Sequence, residues 1–318
     1  MSFGLWSEFA DDDTVRGALP ELGRLGLRLH LALPAARLGD AGLAALTREA
    51  ADHGVDVFAW LLLDRAHGYW VGETNAEQVR EAVLDLLRWR SARDGVALRG
   101  VSFDLEPDFE YAETLRHSPV FRWLPLMKQH LHADKFTRAQ QVLSDTVDRL
   151  HQADVFAHAV TLPLVLDQPE GSTLLEDALD IPVSGIPWDE VSFMVYQTAF
   201  AQLVGEWLGP ALVQSYAEDA IARFGERAGL DLGVVGSAGI GIDPGRRYPD
   251  PETLRQDAAA ARAAGIKSLR VYSLDGVLEQ GGPERWLPPR EIARPGGTRR
   301  EVLGLRNAVA TLVRALGI

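Results

Sequence analysis

A repeated alternation constrains this chain most. Eight short apolar segments lie at 3–9, 27–33, 55–62, 98–106, 155–162, 190–197, 230–242 and 266–274. Between them run stretches whose apolar residues return every three or four positions, among them 14–25, 41–53, 76–90, 133–152, 210–228 and 251–264. Alternating or continuous apolar runs read as strands, and the three-to-four spacing reads as helices with one buried face. Strands alternating with helices imply a parallel sheet joined by right-handed crossovers. Eight such units within 318 residues match a (β/α)8 TIM barrel, an α/β fold, in number and size. We expect one domain over 1–318, with a Pro/Gly-rich linker at 283–297 leading to a C-terminal helix at 299–316. The segment 108–132, rich in Phe, Tyr and Trp, reads as a long loop. A doubly wound open sheet is the rival fold, but it places a glycine-rich phosphate turn after its first strand, and Ser7-Glu8-Phe9-Ala10 is not one. The glycine-rich run Gly236 to Gly241 comes late and opens no clear helix.

One segment departs from what packing alone requires. In Gly100-Val101-Ser102-Phe103-Asp104-Leu105-Glu106-Pro107, apolar residues alternate with a hydroxyl and two carboxyls. Strand side chains alternate between faces, so Asp104 and Glu106 share a face, about 6.5–7 Å apart along the strand. Pro107 ends the ladder just beyond them. The bland reading is a solvated strand end; the barrel reading makes it a site, because barrel active sites lie at the C-terminal ends of the strands.

The other strand ends supply Trp6 and Glu8, His30, Trp60 and Asp64, His158 and Thr161, Tyr196 and Gln197, and Tyr272 and Asp275. Carboxylates, aromatic faces and amide or phenol donors suit a carbohydrate. Sugars offer apolar C–H faces to aromatic rings and hydroxyls to fixed polar partners, and glycosidic cleavage needs a proton donor and a charge stabiliser. We therefore expect a carbohydrate substrate, with Trp6, Glu8, Trp60, Gln197, Tyr272 and Asp275 as binding residues. Trp6, Trp60 and Tyr272 could equally be core, and His30 and His158 read more readily as satisfied interior histidines.

The balance of charge narrows the partners. A formal net charge of -13 repels phosphate backbones, so nucleic acid is not expected. No Lys/Arg run suggests a membrane surface, and no apolar run is long enough to span one. Cysteine is absent, which removes thiolate ligands and thiol nucleophiles. No secretory leader is visible, so a cytoplasmic location is expected. No cofactor or metal is called for by any motif.

The strand at 100–107 resembles the signature strand of the family 18 glycoside hydrolases, the chitinase-like barrels, whose pattern is Asp-x-Asp-x-Glu after a glycine. Ser192-Phe193-Met194-Val195-Tyr196-Gln197 resembles that family's Met-x-Tyr-Asp strand, and the segment 265–276 is similar to its last strand. The resemblance implies Glu106 as general acid/base, Asp104 as the group that orients and stabilises a 2-acetamido substituent, and Tyr196 as its hydrogen-bond partner. The departures are Ser102 for the first Asp, Gln197 for the Asp after the Tyr, and Tyr272 for the final Trp. If the substrate has no acetamido group, Glu8 or Asp275 is the candidate second carboxylate.

Two other readings stand beside this one. His30, Glu106 and His158 with Asp104 could hold Mg, Mn or Zn in a metal-dependent isomerase or hydrolase. A non-catalytic sugar-binding barrel would also keep the aromatic faces.

Overall fold

The structure is a computed structural model, described here over residues 2–92, 96–119, 122–197, 208–236, 247–287 and 300–317. Eight parallel strands close into a barrel in sequence order: β1 (Ser2–Ser7), β2 (Leu27–Pro34), β3 (Val57–Leu62), β4 (Gly100–Leu105), β5 (Phe156–Thr161), β6 (Glu190–Met194), β7 (Ala228–Val234) and β8 (Ser268–Tyr272). β8 pairs with β1 through Gly4↔Arg270 and Trp6↔Tyr272, which completes the ring. Helices fill the connections, including Asp12–Leu25, Ala41–Asp52, Ala76–Ala92, Ala133–Gln152, Pro210–Phe224 and Pro251–Ala263. The fold is a (β/α)8 TIM barrel.

The strands are two-faced. Val101, Phe103 and Leu105 of β4 point outward and are wholly buried under the helical layer, and the Phe103 ring lies 5.1 Å from that of Trp188. The inward face is polar for much of its depth. His30, Ser102, His158, Ser192, Asp231 and Arg270 are each at most 2% exposed. Glycines make room for this filling. A Cβ on Gly229 would sit 2.6 Å from Glu190 Oε1 and 3.1 Å from Arg270 Nη1, and one on Gly4 would sit 3.2 Å from both Arg270 Cγ and the His30 ring.

Local chemistry revises several expected boundaries. The segment 108–132 is not a loop: it holds helices Phe109–His117 and Trp123–Gln129. The Asp108 carboxylate accepts from the backbone N–H of Glu110 and Tyr111 and starts the first, and the Trp123 indole donates to the carbonyls of Leu115 and Ser118 to join the two. The helix expected to reach 228 stops at Phe224, before Gly225 at φ 59°. β7 therefore begins at Ala228 rather than 230. Within the expected linker, Pro283–Trp286 forms a helical turn, whereas 288–297 and most of the glycine-rich run after Gly236 lie outside the described residues. The C-terminal helix is Arg300–Leu316. Its Arg306 pairs with the buried Asp167 at 2.6 Å and stacks over Tyr216 at 4.2 Å. Among the described residues, no helix is long and apolar enough to cross a membrane.

Candidate active site

The carboxyl pair on β4 stands at the barrel mouth. Asp104 is the last inward-facing residue of the strand and only 5% exposed. Glu106, two positions on, keeps a partly open face although protein surrounds its carboxyl. Trp6 and Trp60 meet edge to face at 5.0 Å, and with Tyr272 they form an aromatic cluster that also touches Tyr69 and Tyr196. The Trp60 indole N–H approaches the Asp104 carboxyl closely enough to favour its charged form. The geometry stops short of a hydrogen bond, and both Trp60 Nε1 and Asp104 Oδ1 are buried without a partner.

Electrostatics here favours retained protons. Burial pushes Glu106 from its ordinary 4.5 up to about 7, with Arg116 opposing and the Glu8 charge adding to the rise. Burial also drives Asp104 well above its ordinary value, helped by the charges of Glu106, Glu8 and Asp231. Both shifts have the same physical origin: desolvation disfavours the anion, and neighbouring anions disfavour it further. A carboxylic acid that keeps its proton near neutrality can act as a general acid.

Glu8, just beyond β1, lies within electrostatic reach of both. Its two carboxyl oxygens are held by phenols, Tyr69 Oη donating to Oε1 at 2.6 Å and Tyr272 Oη donating to Oε2. Burial raises Glu8 too, and these two hydrogen bonds counteract the rise. Asp275 sits one step further out, in helix Leu274–Glu279. Its charge acts on Glu8 and Tyr272 but is absent from the influences on Glu106 and Asp104.

The structure thus brings together Trp6, Glu8, Trp60, Asp104, Glu106, Tyr196 and Tyr272. Gln197 does not join them. Tyr196, just beyond β6, faces Asp231, Asp104 and Glu106. Gln197 is buried and lies beside the Asp257 carboxyl of helix Pro251–Ala263, near enough to favour its anion. Asp257 accepts from Tyr248 Oη at 2.6 Å. The expected binding role of Gln197 is therefore corrected to packing between barrel and helix. His30 and His158 are not at the mouth either. Both rings are buried inside the barrel, with both nitrogens of each engaged: His30 by Arg270 and Ser102, His158 by Ser102 and Ser192. The metal set proposed from sequence loses its imidazoles for that reason. Among the described residues, no three His, Cys, Asp or Glu side chains form a cluster able to hold a metal ion.

Asp231 and Tyr69 were not among the expected residues. Asp231 was open to detection, since Leu230-Asp231-Leu232 repeats the alternation that singled out Asp104. Tyr69 lies on a connecting segment at φ 65°, and no local pattern marks it.

No protein-family model matches the chain, and no curated protein matches it in sequence. Solved structures do resemble it. The PgaB (BpsB) glycoside hydrolase domain from Bordetella bronchiseptica aligns over 88% of this chain and 96% of its own, at 12% identity and a TM-score of 0.52. A GH5_18 protein from Streptomyces cattleya, solved in complex with Manβ1-4GlcNAc, aligns over 97% and 80%, at 14% identity and a TM-score of 0.51. The catalytic domain 2 of a Group II chitinase from Ostrinia furnacalis aligns over 87% and 90%, at 12% identity and a TM-score of 0.49. An HMG-CoA lyase and a D-allulose 3-epimerase are also among the similar structures. Several neighbours are glycoside hydrolases, and at these identities the likeness is one of barrel fold.

Proposed function

We propose that this chain is a glycoside hydrolase acting on an oligo- or polysaccharide, with Glu106 as general acid/base and Asp104 as stabiliser. The observation that carries the reading is the Glu106 carboxyl at the barrel mouth. It is poised near pH 7, with Asp104 behind it and Glu8 in electrostatic reach. Protonated Glu106 gives its proton to the departing glycosidic oxygen as the bond to the anomeric carbon breaks, and the resulting carboxylate takes a proton from the water that then bonds to that carbon. The positive charge that develops there needs nearby negative charge. Glu8, held by two phenols and acting on both members of the pair, suits this role better than Asp275. For a 2-acetamido sugar, the substituent itself would attack the anomeric carbon, with Asp104 and Tyr196 as its polar partners. Trp6, Trp60 and Tyr272 provide apolar faces for the ring. Two neighbours with TM-scores above 0.5 share this barrel, and one of them was solved in complex with Manβ1-4GlcNAc, so β-linked sugars with and without N-acetyl groups are the first to test.

The experiment is a hydrolysis screen across such glycans with the wild type and Glu106→Gln. Wild-type turnover of at least one substrate is expected, and the variant should lose about 100-fold or more while sugar binding survives. Undiminished turnover in Glu106→Gln rejects the assignment. Binding by the wild type with no turnover of any glycan replaces it with a sugar-binding barrel, and activity abolished by chelator restores the metal reading.

A further inference from the structure

The barrel interior contains a buried polar network that the reaction outlined above does not use. Arg270 Nε donates to His30 Nε2 at 3.1 Å. His30 Nδ1 lies 2.8 Å from Ser102 Oγ, and Ser102 Oγ lies 3.1 Å from His158 Nδ1. His158 Nε2 lies 2.9 Å from Ser192 Oγ. The Ser192 hydroxyl faces Asp231 and favours its charged form. Asp231 Oδ1 accepts from the Trp6 indole N–H at 2.5 Å, and Asp231 Oδ2 returns to Arg270 Nη1 at 3.7 Å. Every member of this network is at most 3% exposed.

A guanidinium can only donate and a carboxylate can only accept. His30 must therefore present a bare Nε2 to Arg270 and carry its proton on Nδ1. Ser102 accepts that proton's hydrogen bond and passes its own to His158 Nδ1, so His158 carries its proton on Nε2. Ser192 accepts there, and its own hydroxyl faces the Asp231 carboxyl in a geometry that stops short of a hydrogen bond. Both imidazoles stay neutral because burial and the nearby Arg270 charge hold their pKa well below the ordinary value. At the Arg270 end the direction is fixed, because a proton on His30 Nε2 would face the Arg270 Nε–H.

We propose that Asp231 is a positioning residue of the candidate site, held beneath Trp6 by the indole hydrogen bond and the Arg270 ion pair, with the hydrogen-bond chain from Arg270 through His30, Ser102 and His158 orienting the Ser192 hydroxyl beside it. The proposal rests on the reading of Asp104 and Glu106 as the reacting pair. The charged and titratable groups facing Asp231 are Arg270 from β8, Glu190 from β6, Tyr196 beyond β6 and Asp104 from β4. Burial raises Asp231 above its ordinary value, and Arg270, Ser192 and Trp6 oppose that rise and favour its anion. The Asp231 charge in turn adds to the burial and neighbouring acids that favour the proton on Asp104, and the Asp231–Trp6 bond sets one indole of the aromatic floor.

The test is made on the full chain without ligand. Nitrogen-15 spectra of labelled histidine read the tautomers, and carboxyl carbon-13 titrations read the protons of the mouth. We expect His30 with its proton on Nδ1, His158 with its proton on Nε2, and in Asp231→Asn a downward shift in the pH at which Asp104 titrates. Ser192→Ala, which removes the last link and keeps every charge, serves as the milder variant. It should weaken the hold on Asp231 and shift the Asp231 titration upward. The opposite tautomer on either histidine, or Asp104 titrating unchanged in Asp231→Asn and Asp231 unchanged in Ser192→Ala, overturns the proposal. None of these readouts needs turnover, so failure of every glycan substrate would strike the proposed function and leave this test intact.

Discussion

Replacing Glu106 with Gln should stabilise the protein, and only above a definite pH. A carboxyl whose folded-state pKa is raised binds its proton more tightly when folded than when unfolded, so folding stability falls as pH rises between the two values and is flat above both. For Glu106 that window runs from its ordinary 4.5 to about 7. The difference is worth about 3 kcal/mol at 1.36 kcal/mol per pH unit. The open side of Glu106 at the mouth lets water recover part of it, leaving about 2–3 kcal/mol. Glutamine keeps the shape and cannot ionise. With an unfolding entropy of about 0.7 kcal/mol/K for a chain of 318 residues, this corresponds to a Tm gain of about 3–4 °C at pH 8. Below pH 4.5 both side chains are neutral and the gain should shrink to near zero. The assay is thermal unfolding of both proteins across pH 4–8.5, in buffers of matched ionic strength. A difference independent of pH, or a variant less stable at pH 8, would refute the argument that this carboxyl is held protonated. In the wild type, kcat/KM on any hydrolysed glycan should fall as pH rises through about 7, the same window read through catalysis.

Other substitutions probe the supports of the site. Glu8→Gln removes a charge that raises Glu106, so the alkaline fall in kcat/KM should move to lower pH; an unchanged profile would mean that Glu8 does not act on the acid. Arg306→Met strips the buried Asp167 of its cation and should cost about 3–5 kcal/mol in urea unfolding, as expected when one partner of a buried pair is removed. Gly229→Ala forces a methyl into the space of the Arg270–Glu190 pair and should cost about 1–3 kcal/mol. Wild-type stability in that variant would mean that the interior has slack the packing does not suggest.

The barrel was legible because its outer faces obey one rule. Val101, Phe103 and Leu105 must meet helices whatever the interior contains, so each strand announced itself and eight could be counted. The direction of the Asp104 and Glu106 side chains followed from the same alternation. Gln197 was misplaced because strand six was read to 197, whereas β6 ends at Met194 and the chain turns before Tyr196 and Gln197. The short helices of 108–132 escaped because each is fixed by a side-chain contact, the Asp108 cap or the Trp123 indole, rather than by a long amphipathic period. The interior network was invisible for another reason. Its links join residues 240, 72, 56 and 34 positions apart, and one strand's pattern shows which face a histidine takes but not what waits across the barrel.

The polar interior bears on what the barrel is for. Barrel centres are ordinarily filled by branched apolar side chains, and an apolar filling of similar volume often matches or exceeds a buried ion network in stability. Stability alone therefore gives no reason to thread Arg270, two histidines, two serines and Asp231 through this one. Their placement does have an electrostatic consequence. Glu8, Asp104 and Glu106 crowd the mouth with Asp231 beneath them, while Arg270 sits on the Asp231 side and Arg116 near Glu106. With more acids than fixed cations in a desolvated space, the cluster cannot ionise fully near neutral pH. Arg270 and the donors of the network favour the anion on Asp231, so the retained protons fall to Asp104 and Glu106, the pair that faces a ligand entering the mouth.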